Sequence, residues 1–557
     1  MTAVLLIWIY ISLTTIPIAS VFLSYLYGKD RSFLRTEDVA AFGILIATVY
    51  AQLFSLFGRL SLAANILLII ISLVCAFIMI RKKIAIPAGK PGPLQISLVV
   101  IAAIILSYCS SRGYMHIDSD LYHAQSVHWL ESFGTVKGLG NVHIRLGYNS
   151  SSFALTALYA LSFINGQSYH VCAGYMALIV ACSALRIGHI FFDRKVRISD
   201  FARIAGLYYI FDICDEIVSP ASDYFTMLAY VYVIIKCIDL FEIKADLGKY
   251  SFPALFSILA VTFKLSAAPL VLMCIPPFVG YIKKKERKPL ITCIITALVM
   301  TVPYFIRGFL LSGWFFYPSR ALGFIKVPWR IPEGLAIIDS KYIIAYGRGS
   351  DLYQVADLKL TEWFPGWLSG IGRTDRIFFI LSMAGIFIWL CLALQKKYRN
   401  MLLYTQFVAI MAFAVWFLSS PLIRYGRSFI IMLPCIMFGT AYGILSTKKL
   451  FRRSAPVLLA SFTGAFLIYK MYFLLGFVIL FSDNPNYITQ QDYGTYDTYL
   501  YEVDGHGFYA SNDMDLTGYD PFPSAGGYND EFEMLGDSYA DGFKPAEELE
   551  KRFTPEN

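Results

Sequence analysis

The sequence predicts an all-α polytopic integral membrane protein, a bundle of about 13 transmembrane helices with large extracytoplasmic loops. Three observations predict it. Of 557 residues, 57% are hydrophobic and only 15% charged, far from the balance of an ordinary soluble chain. Runs of roughly 18 or more apolar residues recur from the N-terminus to about Phe481, each long enough to cross a hydrocarbon core of about 30 Å as a helix. β-barrels lack such runs. Finally, the basic residues gather in six clusters: Lys29, Arg31 and Arg35; Arg81 to Lys83 with Lys90; Arg194, Lys195 and Arg197; Lys283 to Lys288; Lys396, Lys397 and Arg399; Lys448 to Arg453. All six can be cytoplasmic at once, which fixes the orientation.

Each element follows from that frame. The run from Ala3 to Tyr27 lacks a basic leader and is too long for a signal peptide, so it reads as the first helix. Helices near 3–27, 39–57, 61–80 and 94–110 carry the chain from an external N-terminus to an external exit. The run 153–164 is too short to span and reads as interfacial or re-entrant, whereas 169–192 returns inside. From about Phe201 a helix leads out to an acidic turn with Asp212, Asp215, Glu216 and Asp223, and another goes back in by about Phe241. The run 252–281 is too short for two full crossings and divides near Lys264 into two short or tilted helices. A helix near 291–311 opens into an external loop over 312–376. Helices near 377–395, 401–419, 428–446 and 455–481 follow, with an outward turn at 419–427.

From Phe481 onward the chain carries 17 acids against three bases, so the tail over 482–557 is a different material from the membrane domain over 1–481. It reads equally as partly disordered or as packed on the external loops through Tyr493, Tyr496, Tyr499, Phe508, Tyr519 and Phe522. The ten cysteines are scattered without a CxxC pair and suggest neither a disulfide framework nor a zinc site.

The stretch Tyr114–Ser152 holds four of the seven histidines together with Asp118, Asp120, Glu131 and Arg145. No comparable run between apolar segments gathers so many acid, base and anion-binding groups. A helix starting at Asp118 places Asp118, Tyr122, Gln125 and Trp129 on one face, a carboxylate beside a phenol and an amide under an aromatic surface. That set suits activation of a hydroxyl and stacking of a sugar, or simply a capped helix start. His116, Asp118, Asp120 and His123 are metal-ligand types, but their spacing fits no strong motif, so a divalent metal is a minor expectation and no metal ligand is assigned. Asn141, His143, Arg145 and Asn149, in a glycine-broken segment, suit clamping a phosphate or a sugar, or an ordered interfacial loop. Asn149-Ser150-Ser151 also fits a glycosylation sequon by pattern alone. Lys264, Arg307 and Arg424 lie in or beside apolar segments, where cations point to a functional site with phosphate as the natural partner, snorkelling being the alternative. Arg320, Arg330 and Arg348 of the large loop are weaker candidates.

A large external loop with an aspartate-rich motif followed by Tyr resembles the GT-C superfamily of polytopic glycosyltransferases, which includes protein mannosyltransferases and aminoarabinose transferases. The phrases DSDLYHAQSVHWL and GLGNVHIRLGYNSSSF resemble, more particularly, a group of bacterial membrane proteins associated with that superfamily. Further echoes occur at SPASDYF, FKLSAAP, PYFIRGFLLSGWFFYP and WFLSSPLIRYG. The resemblance implies a polyprenyl-phosphate-linked sugar donor, an external site and inversion at the anomeric carbon. It implies an aspartate base at Asp118 or Asp120, with Tyr122 and His123 beside it and Asp223 as a second external acid. Asp-Ser-Asp replaces the Asp-Glu pair of the superfamily, and the loop follows the fourth helix instead of the first.

The expected function is therefore transfer of a sugar from a polyprenyl-phosphate carrier to an extracytoplasmic glycan, lipid or protein at a bacterial cell membrane. No cofactor is required by this reading. The expected partners are membrane lipid, donor and acceptor, without nucleic acid, and the oligomeric state is open. The rivals are a surface-polysaccharide polymerase or ligase and a lipid-linked-sugar flippase. A transporter needs charges along a path through the membrane, and the sequence gathers them on one side.

Overall fold

The computed structural model describes residues 1–28, 30–87, 92–479 and 486–553. Lys29 and Lys90 of the basic clusters, and Phe481 at the tail boundary, lie outside the described residues. The chain runs through α1 (Thr2–Tyr27), α2 (Thr36–Ser55), α3 (Leu62–Lys82), α4 (Pro93–Ser111), α5 (Ala124–Ser132), α6 (Ser151–Ala160), α7 (Cys172–Asp193), α8 (Ile198–Asp212), α9 (Ser222–Glu242), α10 (Ser251–Phe263), α11 (Leu265–Lys284), α12 (Arg287–Ser312), α13 (Glu333–Gly347), α14 (Leu360–Gly370), α15 (Arg373–Ala393), α16 (Met401–Ser419), α17 (Ile423–Leu445) and α18 (Leu450–Gly476). All but α5, α6, α8, α10, α13 and α14 are long and apolar enough to cross a membrane, twelve helices among the described residues. The chain is a multi-pass helical membrane protein.

The expected division near Lys264 is present and has a local cause. Lys264 is extended (φ −156°, ψ 133°) between α10 and a 3₁₀ stretch over Leu265–Cys274 that contains Pro269. Proline supplies no backbone N–H and crowds the preceding turn, which disfavours a regular α-helix at this point. The break leaves Lys264 facing the bundle. The segment 153–164 departs from the interfacial reading: every residue of α6 is buried, and it packs against α2, α5 and α10. Ser150 caps it, its hydroxyl accepting from the Ser152 amide.

The two ends of the bundle differ. At one end lie the basic clusters, joined by contacts such as Arg31 Nη1 to the Ala85 carbonyl at 3.2 Å and Tyr281 Oη to the Gly248 carbonyl at 2.8 Å. Buried ion pairs tie this end together: Arg186 to Glu37, Arg203 to Asp239 at 2.5 Å, and Lys236 to Asp38, whose other oxygen accepts from Tyr232. At the other end the segments after α4, α8, α12 and α16 meet. The Tyr114 amide donates to Asp215 O at 2.6 Å, the Gly138 amide to Leu310 O at 2.7 Å, and the Ser420 hydroxyl to Ile343 O at 2.8 Å.

The acidic tail folds, which corrects the all-α expectation for this part of the chain. β1 (Thr498–Val503) pairs antiparallel with β2 (His506–Ser511), and β3 (Ser524–Gly526) adds parallel to β2; β4 (Phe532–Met534) pairs with β5 (Phe543–Pro545). Asp504-Gly505, both at positive φ, make the two-residue turn between β1 and β2, the turn that matches strand twist. Phe508, Phe532 and Phe543 share one core with Trp129, Val136, Leu139 and Val142 of the polar loop. Gly138, at φ +63°, lies under this contact, where a Cβ would meet Phe543 O at 1.9 Å.

Removing one member of a buried ion pair strands the other in low dielectric. Lys236→Met, which leaves the Asp38 carboxylate without its cation, is expected to cost about 3–5 kcal/mol, read as a lower thermal midpoint of the purified protein in detergent.

Candidate functional site

The DSDLYH segment is wound unusually, and that decides which acid goes where. Ser119–His123 forms a π-helical turn closed by the Ala124 amide on Ser119 O. A π turn takes an extra residue and breaks the 3.6-residue register. The predicted stripe therefore splits. Asp118 and Tyr122 stay with the helix ends, while Gln125 and Trp129 turn to the tail.

Asp118 joins a row of alternating charges. Arg424 Nη2 donates to Asp118 Oδ2 at 2.7 Å, and its Nε lies 3.4 Å from Asp223 Oδ2 without hydrogen-bond alignment. Asp223 Oδ1 accepts from Lys264 Nζ, and that ammonium sits 3.3 Å from the centroid of the Tyr425 ring. His116 completes the group: its Nδ1 accepts from the Asp118 amide at 3.1 Å, its Nε2 faces Arg424, and its own amide donates to Ser219 Oγ at 2.7 Å. A neutral imidazole has one lone-pair nitrogen, so it accepts from one of these two donors at a time. Four sequence-predicted residues, Asp118, Asp223, Lys264 and Arg424, thus come together from four separate segments.

The phrase WFLSSPLIRYG explains how Arg424 is aimed. Trp416 Nε1 donates to Leu422 O at 2.9 Å and Trp367 Nε1 to Pro421 O at 2.9 Å, pinning the turn before α17. Gly426 lies against the Trp416 indole, whose nearest atom would be 2.2 Å from a Cβ. The arginine emerges in the first turn of α17 between these fixed points.

Burial raises the Asp118 carboxyl, but Arg424, His123 and His116 outweigh it and bring the pKa to about 2. Oδ2 carries the contacts to Arg424 and His116, and Oδ1 bonds to no described residue. His123, buried with its ring edge-on to Tyr122 and tilted against Phe153, is lowered to about 3, chiefly by burial; it stays neutral at pH 7. Tyr122 is pushed well above the usual phenol range by burial, then by Asp118, Tyr425 and Asp223.

Tyr122 links this row to a second group that sequence reasoning missed. Its ring meets Tyr148 edge-on at 5.8 Å, and Tyr148 Oη donates to both oxygens of Asp339, at 2.8 and 3.0 Å. Asp339 belongs to α13, the loop helix that Ser420 fastens over the site end; its carboxyl is raised by burial against the pull of Tyr148. Arg145 interacts electrostatically with Tyr122, Tyr148 and Asp339, yet its guanidinium makes no hydrogen bond or ion pair to any described residue. The run Tyr148-Asn149-Ser150 pins three elements in succession: Tyr148 to Asp339, Asn149 Nδ2 to Tyr304 O of α12 at 2.6 Å, and Ser150 Oγ to Phe263 O at 2.8 Å. Asn149 is thereby engaged inside the protein, against its reading as a glycosylation sequon.

The remaining predicted residues serve the tail. Asp120 accepts from the Gly494 amide at 2.9 Å and Tyr496 Oη at 2.8 Å, and its carbonyl from the Thr517 and Gly518 amides. Gln125 donates to Gly518, Tyr519 and Pro521 carbonyls and accepts from the Ser524 amide. Asn141 holds Gly138 and Trp329 carbonyls, and His143 lies against Gly526. His128 is sandwiched between Tyr519 and Phe522 at 4.0 and 3.9 Å. The side chains of Asp120, Gln125 and Asn141 are thus hydrogen-bonded within the protein, whereas the His143 ring makes no hydrogen bond to a described residue. Arg307 is buried on α12. Tyr148 and Tyr425 lie inside the phrases GLGNVHIRLGYNSSSF and WFLSSPLIRYG without being singled out there, and Asp339 lies in no such phrase. Among the described residues no group of three or more His, Cys, Asp or Glu has the geometry to hold a metal ion.

The fold and this charged, partly open cluster define a polytopic helical membrane protein with a candidate site at one end of its bundle. Residues 1–431 match the model of a domain of unknown function (DUF8201), and the chain belongs to that family. The matched span includes the whole charge row. No curated protein and no solved structure matches the chain.

Burial raises the Glu131 carboxyl to about 7, against the hydrogen bonds it accepts from Tyr519, Ser162 and Ser168. A carboxyl raised on docking of the tail binds more protons docked than free. Its contribution is complete below about pH 4.5, falls away as pH rises and is lost above about pH 7. Protease resistance of the tail is therefore expected to fall between about pH 5 and pH 8, and Glu131→Gln to flatten that dependence.

Proposed function

We propose that the protein is a GT-C-like membrane glycosyltransferase, moving a sugar from a polyprenyl-phosphate donor to an extracytoplasmic acceptor at a bacterial cell membrane. The observation that supports this most directly is Asp118: an ionised carboxylate with one free oxygen, held by Arg424 beside Tyr122 and the unpaired Arg145. The acceptor hydroxyl attacks the anomeric carbon, the carbon–oxygen bond to the carrier phosphate breaks, and the acceptor proton passes to Asp118 Oδ1. A carboxylate with a pKa near 2 is a weak base. An arriving phosphate competes for Arg424 and Lys264, and each bond it withdraws from Asp118 or Asp223 makes that carboxylate more basic. Arg145, bonded to no carboxylate, is the group free to meet the leaving phosphate, and fixed charges in a water-poor site are the usual large contribution to such a displacement. The basic clusters at the opposite end of the bundle support an extracytoplasmic site by the charge rule.

One observation favours the flippase: buried ionic groups also occur at the basic end, contrary to the one-sided pattern expected from sequence. They are closed on one another, Lys236 with Asp38 and Arg203 with Asp239. The enzyme therefore remains the better reading.

The test is sugar release from a polyprenyl-phosphate-sugar mixture by purified protein in nanodiscs. The native chain is expected to transfer and Asp118→Asn to lose at least about 100-fold in rate, with an unchanged thermal midpoint. Donor binding without transfer by the native chain would replace the enzyme by the flippase.

A further inference from the structure

Three cations are buried among the described residues: Arg203, Lys236 and Arg307. The first two are in ion pairs. Arg307, 2% exposed, has none, and its Nε and Nη1 meet no hydrogen-bond acceptor among the described residues. Guanidinium does not lose its proton in a protein, so neutralisation cannot relieve this site. An unpaired charge taken out of water costs several kcal/mol.

A second unpartnered polar group lies close by. Asn149 reaches the same turn of α12, donating to Tyr304 O at 2.6 Å, and its Nδ2 lies 3.3 Å from where a Gly308 Cβ would stand. Its Oδ1 is buried without a donor. Orphan donors and an orphan acceptor thus lie on one helical turn. Met300, Tyr304, Arg307, Gly308 and Leu311 make the inward face of α12, while Ile295, Leu298, Val299, Val302 and Ile306 of the same helix are exposed as a membrane-facing stripe. Arg307 is therefore one helix thickness from the bilayer. By contrast Lys264 and Arg424 already bind Asp223 and Asp118, and among the described residues Arg307 is the fully buried cation without a carboxylate.

We infer that Arg307, with Asn149, binds the phosphate of a membrane amphiphile that reaches it from the bilayer side of α12. A phosphate oxygen accepts from the guanidinium, and a hydroxyl of the attached sugar or headgroup donates to Asn149 Oδ1. The phosphate belongs to a lipid-linked sugar or to an ordinary phospholipid; only the first alternative rests on the glycosyltransferase reading.

The test uses the full chain stripped of lipid in detergent and titrated with farnesyl phosphate, phosphatidylglycerol and the uncharged alcohol farnesol, with bound lipid read by native mass spectrometry. Arg307→Met is expected to weaken phosphate-bearing lipid at least tenfold, with farnesol unaffected and Arg307→Lys partly restoring binding. Loss confined to farnesyl phosphate assigns the site to the lipid-linked donor, and loss of both phosphate lipids assigns it to any phospholipid. Lipid-free Arg307→Met is also expected to melt no lower than the native chain, because it removes an unpaired buried charge. Undiminished phosphate-lipid binding by Arg307→Met, or a lower midpoint of its lipid-free form, overturns the inference. Binding does not depend on transfer, so this result stands or falls apart from the Asp118→Asn assay.

Discussion

The arrangement of the site end rests on the charge row Asp118–Arg424–Asp223–Lys264. Each member is only partly exposed, and each would be costly there alone. Alternating signs make the group tolerable, and they also tie four chain segments to one another. The carboxylates come from the polar loop and the start of α9, and the cations from the break before α11 and the first turn of α17. A helix interrupted at Lys264 would be a defect in an ordinary bundle. Here the interruption delivers an ammonium to Asp223.

The tail adds a second constraint from the opposite side of the same short segment. Asp118 and Asp120 are two residues apart, yet one is held by Arg424 and the other by Gly494 and Tyr496 of the tail. The π-helical turn between them lets both contacts form. The aromatic stack of Tyr519, His128 and Phe522, and the shared core around Trp129, fix the outer face of α5 while the helix ends fix the inner one. The polar loop is therefore a layer between membrane helices and tail, which accounts for its density of ionisable groups: about half serve each neighbour.

This division bears on the chemistry proposed. Groups bonded fully to protein, such as Gln125 and Asn141, are poor candidates to meet a ligand, because a ligand would have to displace bonds already made. Groups with open valence, Asp118 Oδ1, Arg145 and Arg307, are the ones that gain by it. Polar atoms without partners identify ligand positions here better than the density of polar residues does.

The sequence alone determined the helical membrane class, the split near Lys264 and the gathering of Asp118, Asp223, Lys264 and Arg424 as candidates. Hydrophobic run length, proline chemistry and the cost of buried charge are local properties and leave local marks. It also carries a mark of the β1–β2 hairpin, since Asp504-Gly505 is a strong turn signal. Only the tertiary structure decided which aspartate belongs to the row, because the π turn changes the register by one residue and no propensity announces it. Only the fold, likewise, brought Asp339 and Tyr148 to Tyr122 across 191 residues of separation between the first two, and left Arg307 without a partner. Whether a charge is paired depends on what the fold sets beside it, and that is settled by packing between distant segments.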